Sequence, residues 1–260
     1  MHQVLRSVRQ LRFMGPHSTA LLTGLAERIV LTTGVAPAGR RGKKTYELGR
    51  GEKPDPQVRE RMLEKLIWRQ WGYRPSDPDR AFVEGVCRFV QSYQVPLQGK
   101  RVDKGWGKID LIGATPEALP AVVELKQEGA KDTPLRMLAE ALAYACAVRV
   151  AWQAGRFRDE WVAAMSENGL PVEPPATLDR VPLLLLAPGD FWRRTIGTPG
   201  VRTKGKVPVG AWSAFRRLAD ECGVHGFPTY CVRFEMRVAE DTGTETVTDI
   251  GLVTLPDGAS

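Results

Sequence analysis

The stretch spanning residues 104–129, KGWGKIDLIGATPEALPAVVELKQEG, limits the fold more than any other part of the chain. Two short apolar runs, residues 108–114 and 121–127, flank a proline-bearing turn at 116–120, the pattern of two strands joined by a turn. Side chains two apart on a strand share a face, so Glu124 and Lys126 stand side by side. With Asp110 facing them across the hairpin, two carboxylates and an ammonium converge on one small area. Carboxylates that close repel each other unless a hard cation lies between them. Mg²⁺ is commonly held by one or two carboxylates together with substrate phosphate. The lysine would then orient a water or balance charge developing on a phosphate. The plain alternative is a Glu–Lys pair that serves only the surface of a strand.

Asp110, a spacer with a turn, then Glu124-Leu125-Lys126 resembles the signature of the PD-(D/E)xK nuclease superfamily. The order of segments around it fits as well. The resemblance implies an α/β fold with a mixed central sheet flanked by helices, restriction-endonuclease-like. It also implies a metal-dependent nuclease that hydrolyses phosphodiester bonds, DNA being preferred to RNA as the expected substrate. Mg²⁺ (or Mn²⁺) would be held by Asp110 and Glu124, with Lys126 as the catalytic lysine.

An opening helix is signalled by Asp55 as N-cap and Pro56 at the first helical position, with Val58, Met62, Leu63, Leu66 and Ile67 as its apolar stripe and Gly72 as its stop. In relatives an acid from this helix completes the metal site, and Glu60 is the choice here, with Glu64 second. A further helix is expected from Asp77-Pro78, ended by Pro96, with Phe82, Val86, Phe89, Val90 and Tyr93 on one face. It would depart from the simplest family pattern, and it makes Glu84 a third choice. Residues 97–103 read as a strand leading into the hairpin.

After the hairpin, Thr133-Pro134 starts a long alanine-rich helix on which Glu140 and Tyr144 share a face. The superfamily often carries a Gln and a Tyr at this spacing. Glu140 replaces the Gln, while Tyr144 is expected either to contact nucleic acid or to pack with its hydroxyl satisfied. Residues 156–167 read as a helix and 181–187 as a buried strand. Residues 189–209 read as a loop in which Trp192, Arg193, Arg194, Arg202, Lys204 and Lys206 suit nucleic-acid contact by stacking and charge. A helix over 211–222 and a hairpin of 229–239 with 245–255 complete the chain.

The net charge of +7 is concentrated at one end. Residues 1–54 hold ten Lys and Arg against three Glu, and the rest balances at 27 of each sign. The chain is therefore divided into a basic segment, 1–54, and a nuclease-like domain, 55–260. A short helix over 18–30 and a Gly/Pro-rich linker over 34–54 are expected in the first. Such an arm suits nucleic acid. No apolar run approaches the roughly 20 residues of a membrane span. The four cysteines lack C-x-x-C spacing, and a cytoplasmic location is expected. The grouping of Cys222, His225 and Cys231 does not match a metal-cluster pattern. No nucleoside-triphosphate loop is present. A homodimer or a partner protein stays open. So do two other classes: a nucleic-acid-binding module without catalysis on the same fold, and a structural or interaction protein.

Overall fold

A computed structural model describes Tyr46, Leu48 and residues 59–97, 108–170, 172–196 and 209–253. Within them the order is α1 (Arg59–Trp71), β1 (Phe89–Pro96), β2 (Lys108–Ala114), β3 (Pro120–Leu125), α2 (Pro134–Gln153), α3 (Arg156–Glu167), β4 (Leu183–Pro188), α4 (Gly189–Ile196), α5 (Val209–Val224), β5 (Thr229–Val238) and β6 (Glu245–Leu252). The six strands form one sheet in the order β1-β2-β3-β4-β5-β6. The three strands β1, β2 and β3 run as an antiparallel meander, β3, β4 and β5 are parallel, and β6 returns antiparallel. The chain is thus α/β with a mixed sheet. Parallel neighbours require crossovers, and here α2 with α3, then α4 with α5, supply them.

Each face of the sheet has its own core. On one, Leu138, Leu142, Trp152, Trp161 and Phe215 from the helices pack on Val122, Leu183 and Leu185. On the other, Leu63 and Ile67 of α1 pack with Val123, Leu184, Leu186 and Phe234. Strand β4, LLLLAP, is apolar throughout because both of its faces are covered. Helix α2 starts as its sequence signals: Thr133 caps it, its Oγ1 accepting from Arg136 N at 3.2 Å, and Pro134 stands at the first position. Its alanines are nearly all buried, which lets the helix lie close to the sheet.

Several expectations are corrected. The segment 77–93 is not a helix. Asp77 sits in a turn, Val83 and Cys87 form an isolated bridge, and Phe89–Pro96 is strand β1. Every residue of β1 is buried, so its apolar residues show no two-residue alternation and their spacing imitates a helical stripe. Residues 189–196, expected in a loop, form α4, whose apolar side buries Phe191 and Trp192. The expected helix over 18–30, the start of the opening helix at Asp55-Pro56 and the strand beyond Leu97 lie outside the described residues. Tyr46, inside the segment read as a basic arm, is buried: its N–H donates to Glu160 Oε2 at 2.6 Å and its ring meets Phe157 edge-on at 4.8 Å.

Candidate active site

The site lies where β2 and β3 part. Their ladder ends at the pair Leu111 and Val123. Beyond it the Asp110 carboxylate replaces the missing backbone acceptor, its Oδ2 taking the N–H of Leu125 at 2.9 Å. Strand β3 stays with β4, and Lys126 N donates to Leu186 O. A fork in the sheet therefore presents Asp110 on one prong and Glu124 with Lys126 on the other.

The neighbouring strand is distorted at the same level. Gln94 of β1 has φ +52°, a left-handed backbone that non-glycine residues seldom adopt. Tyr93 and its partner Leu111 face one core, while Val95 and its partner Ile109 face the other. A regular strand would keep residues two apart on one face. Alternation thus breaks in both strands at Gln94 and Asp110, and the Gln94 side chain turns to α1, donating to Glu64 Oε2 at 2.6 Å.

Lys126 Nζ is the hub of the charged groups. It lies 2.6 Å from Glu124 Oε1, 3.3 Å from Glu140 Oε2 and 3.9 Å from Asp132 Oδ2. Arg136 closes the far side, 3.0 Å from Glu140 and 2.7 Å from Asp132. Thus Asp132 just before α2, with Arg136 and Glu140 one and two turns on, brings a second charged layer to the fork. Glu124, Lys126 and Glu140 are all buried.

Burial raises the Asp110 carboxyl to about 7, against the pull of Lys126 and the Leu125 N–H. Burial and then the Asp110 charge push Glu124 well up. For Glu140 burial works the same way, but Lys126 and Arg136 more than offset it and hold the carboxylate low. Burial opposes charge on Lys126, yet Glu124, Glu140 and Asp110 together keep its ammonium above the usual lysine range. Glu60 is raised by burial first and feels Lys126, Asp132 and Glu140. Glu64 is pushed up to about 9 by burial and then by Asp110. Six carboxylates therefore share one region, among the described residues, with Lys126, Arg136 and, on the Glu64 side, Arg61, and such a region favours a further positive charge.

Helix α1 brings two acids rather than one. Glu60 borders the group around Lys126, whereas Glu64 is the more buried and lies on the Asp110 side. Sequence reasoning ranked Glu64 second and missed Gln94, Asp132 and Arg136 entirely. For Arg136 and Asp132 a signal was present, an i,i+4 acid–base pair at a helix start. Gln94 carried none, because its role depends on a backbone distortion. Tyr144 is buried, and burial followed by the charges of Glu124 and Asp110 keeps its hydroxyl protonated.

The expected nucleic-acid contacts on α4 divide. Trp192 is buried and its Nε1 donates to Val232 O at 2.9 Å, so its ring is engaged in the core and not open to stack on a base. Arg193 and Arg194 are exposed, Arg193 paired with Asp190. Arg202, Lys204 and Lys206 lie outside the described residues.

Among the described residues no three His, Cys, Asp or Glu side chains form a ready-made cation cage. Glu124 Oε2 is buried and receives no N–H donor, and the side chain beside it is another carboxyl, that of Glu140. A buried carboxylate oxygen among acids is the donor chemistry that a hard cation accepts. Comparison of the chain with family models, with curated proteins and with solved structures finds no significant match.

Proposed function

We propose that this chain is a metal-dependent nuclease of the PD-(D/E)xK kind, on a restriction-endonuclease-like core, with DNA as its substrate. The observation that carries the reading is the fork itself. Asp110, Glu124 and Lys126 meet there, with one oxygen of Glu124 receiving no N–H donor. The order α1-β1-β2-β3-α2-β4 with acids on α1 supports it.

Asp110 and Glu124 would hold Mg²⁺ or Mn²⁺, with Glu60 or Glu64 completing the shell. Bound there, the ion would make water a stronger nucleophile and offset charge on the phosphate. Lys126 supplies a fixed positive charge for the phosphate oxygens and a donor that orients the attacking water. Glu140, steadied by Arg136, keeps the ammonium in place when Glu124 turns to other work. The buried apolar surroundings exclude bulk water, which strengthens each of these charges.

A second reading has its own observation. The Lys126–Glu124 pair at 2.6 Å is complete without a cation and would serve equally in a binding module or a structural protein. One experiment separates the readings. The purified protein is incubated with Mg²⁺ or Mn²⁺ and labelled duplex, single-stranded, flapped and mismatched DNA, alongside a melting curve with and without metal. Metal-dependent cleavage and metal-dependent stabilisation are expected. Neither effect on any substrate would reject the nuclease.

A further inference from the structure

Beside the fork a cleft of about 210 Å³ opens over the carboxyl ends of β3, β4 and β5. That end of parallel strands is where α/β sheets take their ligands. Gln127 and Glu128, which line the cleft, follow Lys126 directly, and Arg59 and Leu63 on another wall flank Glu60 and its turn of α1. The cleft thus shares two walls with the acid site. It is smaller than the roughly 300–1,000 Å³ of pockets for drug-sized ligands, so it suits one small ring system and excludes a duplex.

Its lining says what kind of ring. Met62 and Met236 offer apolar surface, and Met62 is exposed although apolar. The charged lining is mainly acidic: Glu128, Asp190, Glu235 and Glu245 face Arg59 and Arg193, and Arg193 is shared between Asp190 and Glu235. Such walls repel a phosphate and favour hydrogen-bond donors. Gln127 adds a specific acceptor: its Oε1 is enclosed with no donor, and the last torsion of an amide side chain is soft enough to turn it to a ligand.

We propose that this cleft receives one unpaired nucleobase, cytosine or adenine, from the strand whose phosphate is at Asp110 and Glu124. This rests on the nuclease reading. Cytosine N4 and adenine N6 donate where thymine O4 and guanine O6, at the corresponding ring position, present an acceptor toward carboxylates and an amide oxygen. In a duplex the amine is engaged in pairing, so the substrate class is single-stranded DNA, a flap or a mismatch.

The test is binding of short labelled oligo(dC), oligo(dT) and an abasic strand to the full chain in Ca²⁺, a hard cation for carboxylate oxygens, read by fluorescence anisotropy. Oligo(dC) is expected to bind about tenfold more tightly than oligo(dT), the effect of one well-placed hydrogen bond in an enclosed site. Gln127→Leu should bring the two affinities together while leaving oligo(dT) unchanged. Met62→Ala, on the exposed rim, should weaken both base-bearing strands relative to the abasic one without altering the melting curve. Equal affinity for all three strands would overturn the cleft assignment. Cleavage in Mg²⁺ alongside equal affinities would leave the nuclease standing without it. A base preference with no cleavage under any condition would keep the cleft and reject the nuclease.

Discussion

Gln94 reaches Glu64 across 2.6 Å from a left-handed backbone, so a strained strand residue holds a buried acid beside Asp110. Burial is the main cause that raises the Glu64 carboxyl, against the pull of the Gln94 bond, and the charges of Asp110 and Glu60 add to it. Its folded value, about 9, lies above its ordinary 4.5, so the folded protein keeps a proton that the unfolded chain releases. That contribution is fully present at low pH and is lost as pH rises between those values, at up to roughly 1.4 kcal/mol per pH unit. Glu64→Gln removes the ionisation and still offers Gln94 an acceptor. Without metal, its melting temperature should match the parent near pH 5 and exceed it by about ten degrees or more near pH 9, at roughly 2–4 °C per kcal/mol. Parallel curves for the two proteins would refute a protonated Glu64.

Asp110→Asn separates the two duties of that side chain. The amide oxygen can still accept the Leu125 N–H, so the fork and the melting temperature should survive. The charge is gone, and Mg²⁺ binding followed by calorimetry should weaken at least tenfold, with cleavage lost. A collapsed fold would instead mark Asp110 as a structural residue.

How much of this was legible beforehand varied with the kind of signal. The β2–β3 hairpin and the cap of α2 rest on local chemistry, a proline-bearing turn and a Thr-Pro start, and the structure has both. Strand β1 was read as helix because burial on both faces erases the alternation by which a half-exposed strand is recognised. Trp192 looked like a stacking residue because its neighbours are basic, while its indole in fact answers a carbonyl of β5. The three residues around Lys126 that matter most for its charge, Glu124, Glu140 and Asp110, come from three elements. Only the E-x-K spacing was visible in one stretch. The fork that unites them is a tertiary event.

Lys126 is expected to be both catalytic and neutralising. Lys126→Ala leaves Glu124 and Glu140 enclosed without their ammonium, a loss of about 3–5 kcal/mol for breaking a buried pair. Millimolar Mg²⁺ should restore part of the lost melting temperature, because a cation can replace the missing charge, and equal ionic strength of NaCl should not. Cleavage should be abolished, and adding Asp110→Asn should cost little more, as for residues that act as one unit. Undiminished metal-dependent cleavage by Lys126→Ala would sink the assignment.

Glu140 holds the lysine, not the cation, if the fork works as proposed. Glu140→Gln should therefore lower kcat by about tenfold or more while leaving the calorimetric affinity for Mg²⁺ near the parent value. Arg136 steadies Glu140 at 3.0 Å, so Arg136→Ala and Glu140→Gln should couple in a double-mutant cycle by roughly 0.5–3 kcal/mol, toward the low end because Arg136 is partly exposed. A large loss of metal affinity in Glu140→Gln would make Glu140 a ligand and reassign the site.

The basic segment offers a test that the buried tyrosine refines. Eight of its cations precede Tyr46, among them Arg6, Arg9, Arg12, Arg40, Arg41, Lys43 and Lys44. Each one that neutralises a duplex phosphate steepens the slope of log affinity against log salt by about 0.9. If three or four do so, removing residues 1–44 should flatten the slope by roughly three and weaken binding mainly at low salt. Tyr46 keeps its bond to Glu160 and its contact with Phe157 in that truncation. Removing residues 1–54 takes Tyr46 as well and should lower the melting temperature, because deleting a buried aromatic side chain costs about 3–5 kcal/mol. The two truncations thus divide the segment into a charged part read by salt and a packed part read by heat. An unchanged salt slope in the shorter truncation would reject the arm as a DNA contact, whatever the melting curves show.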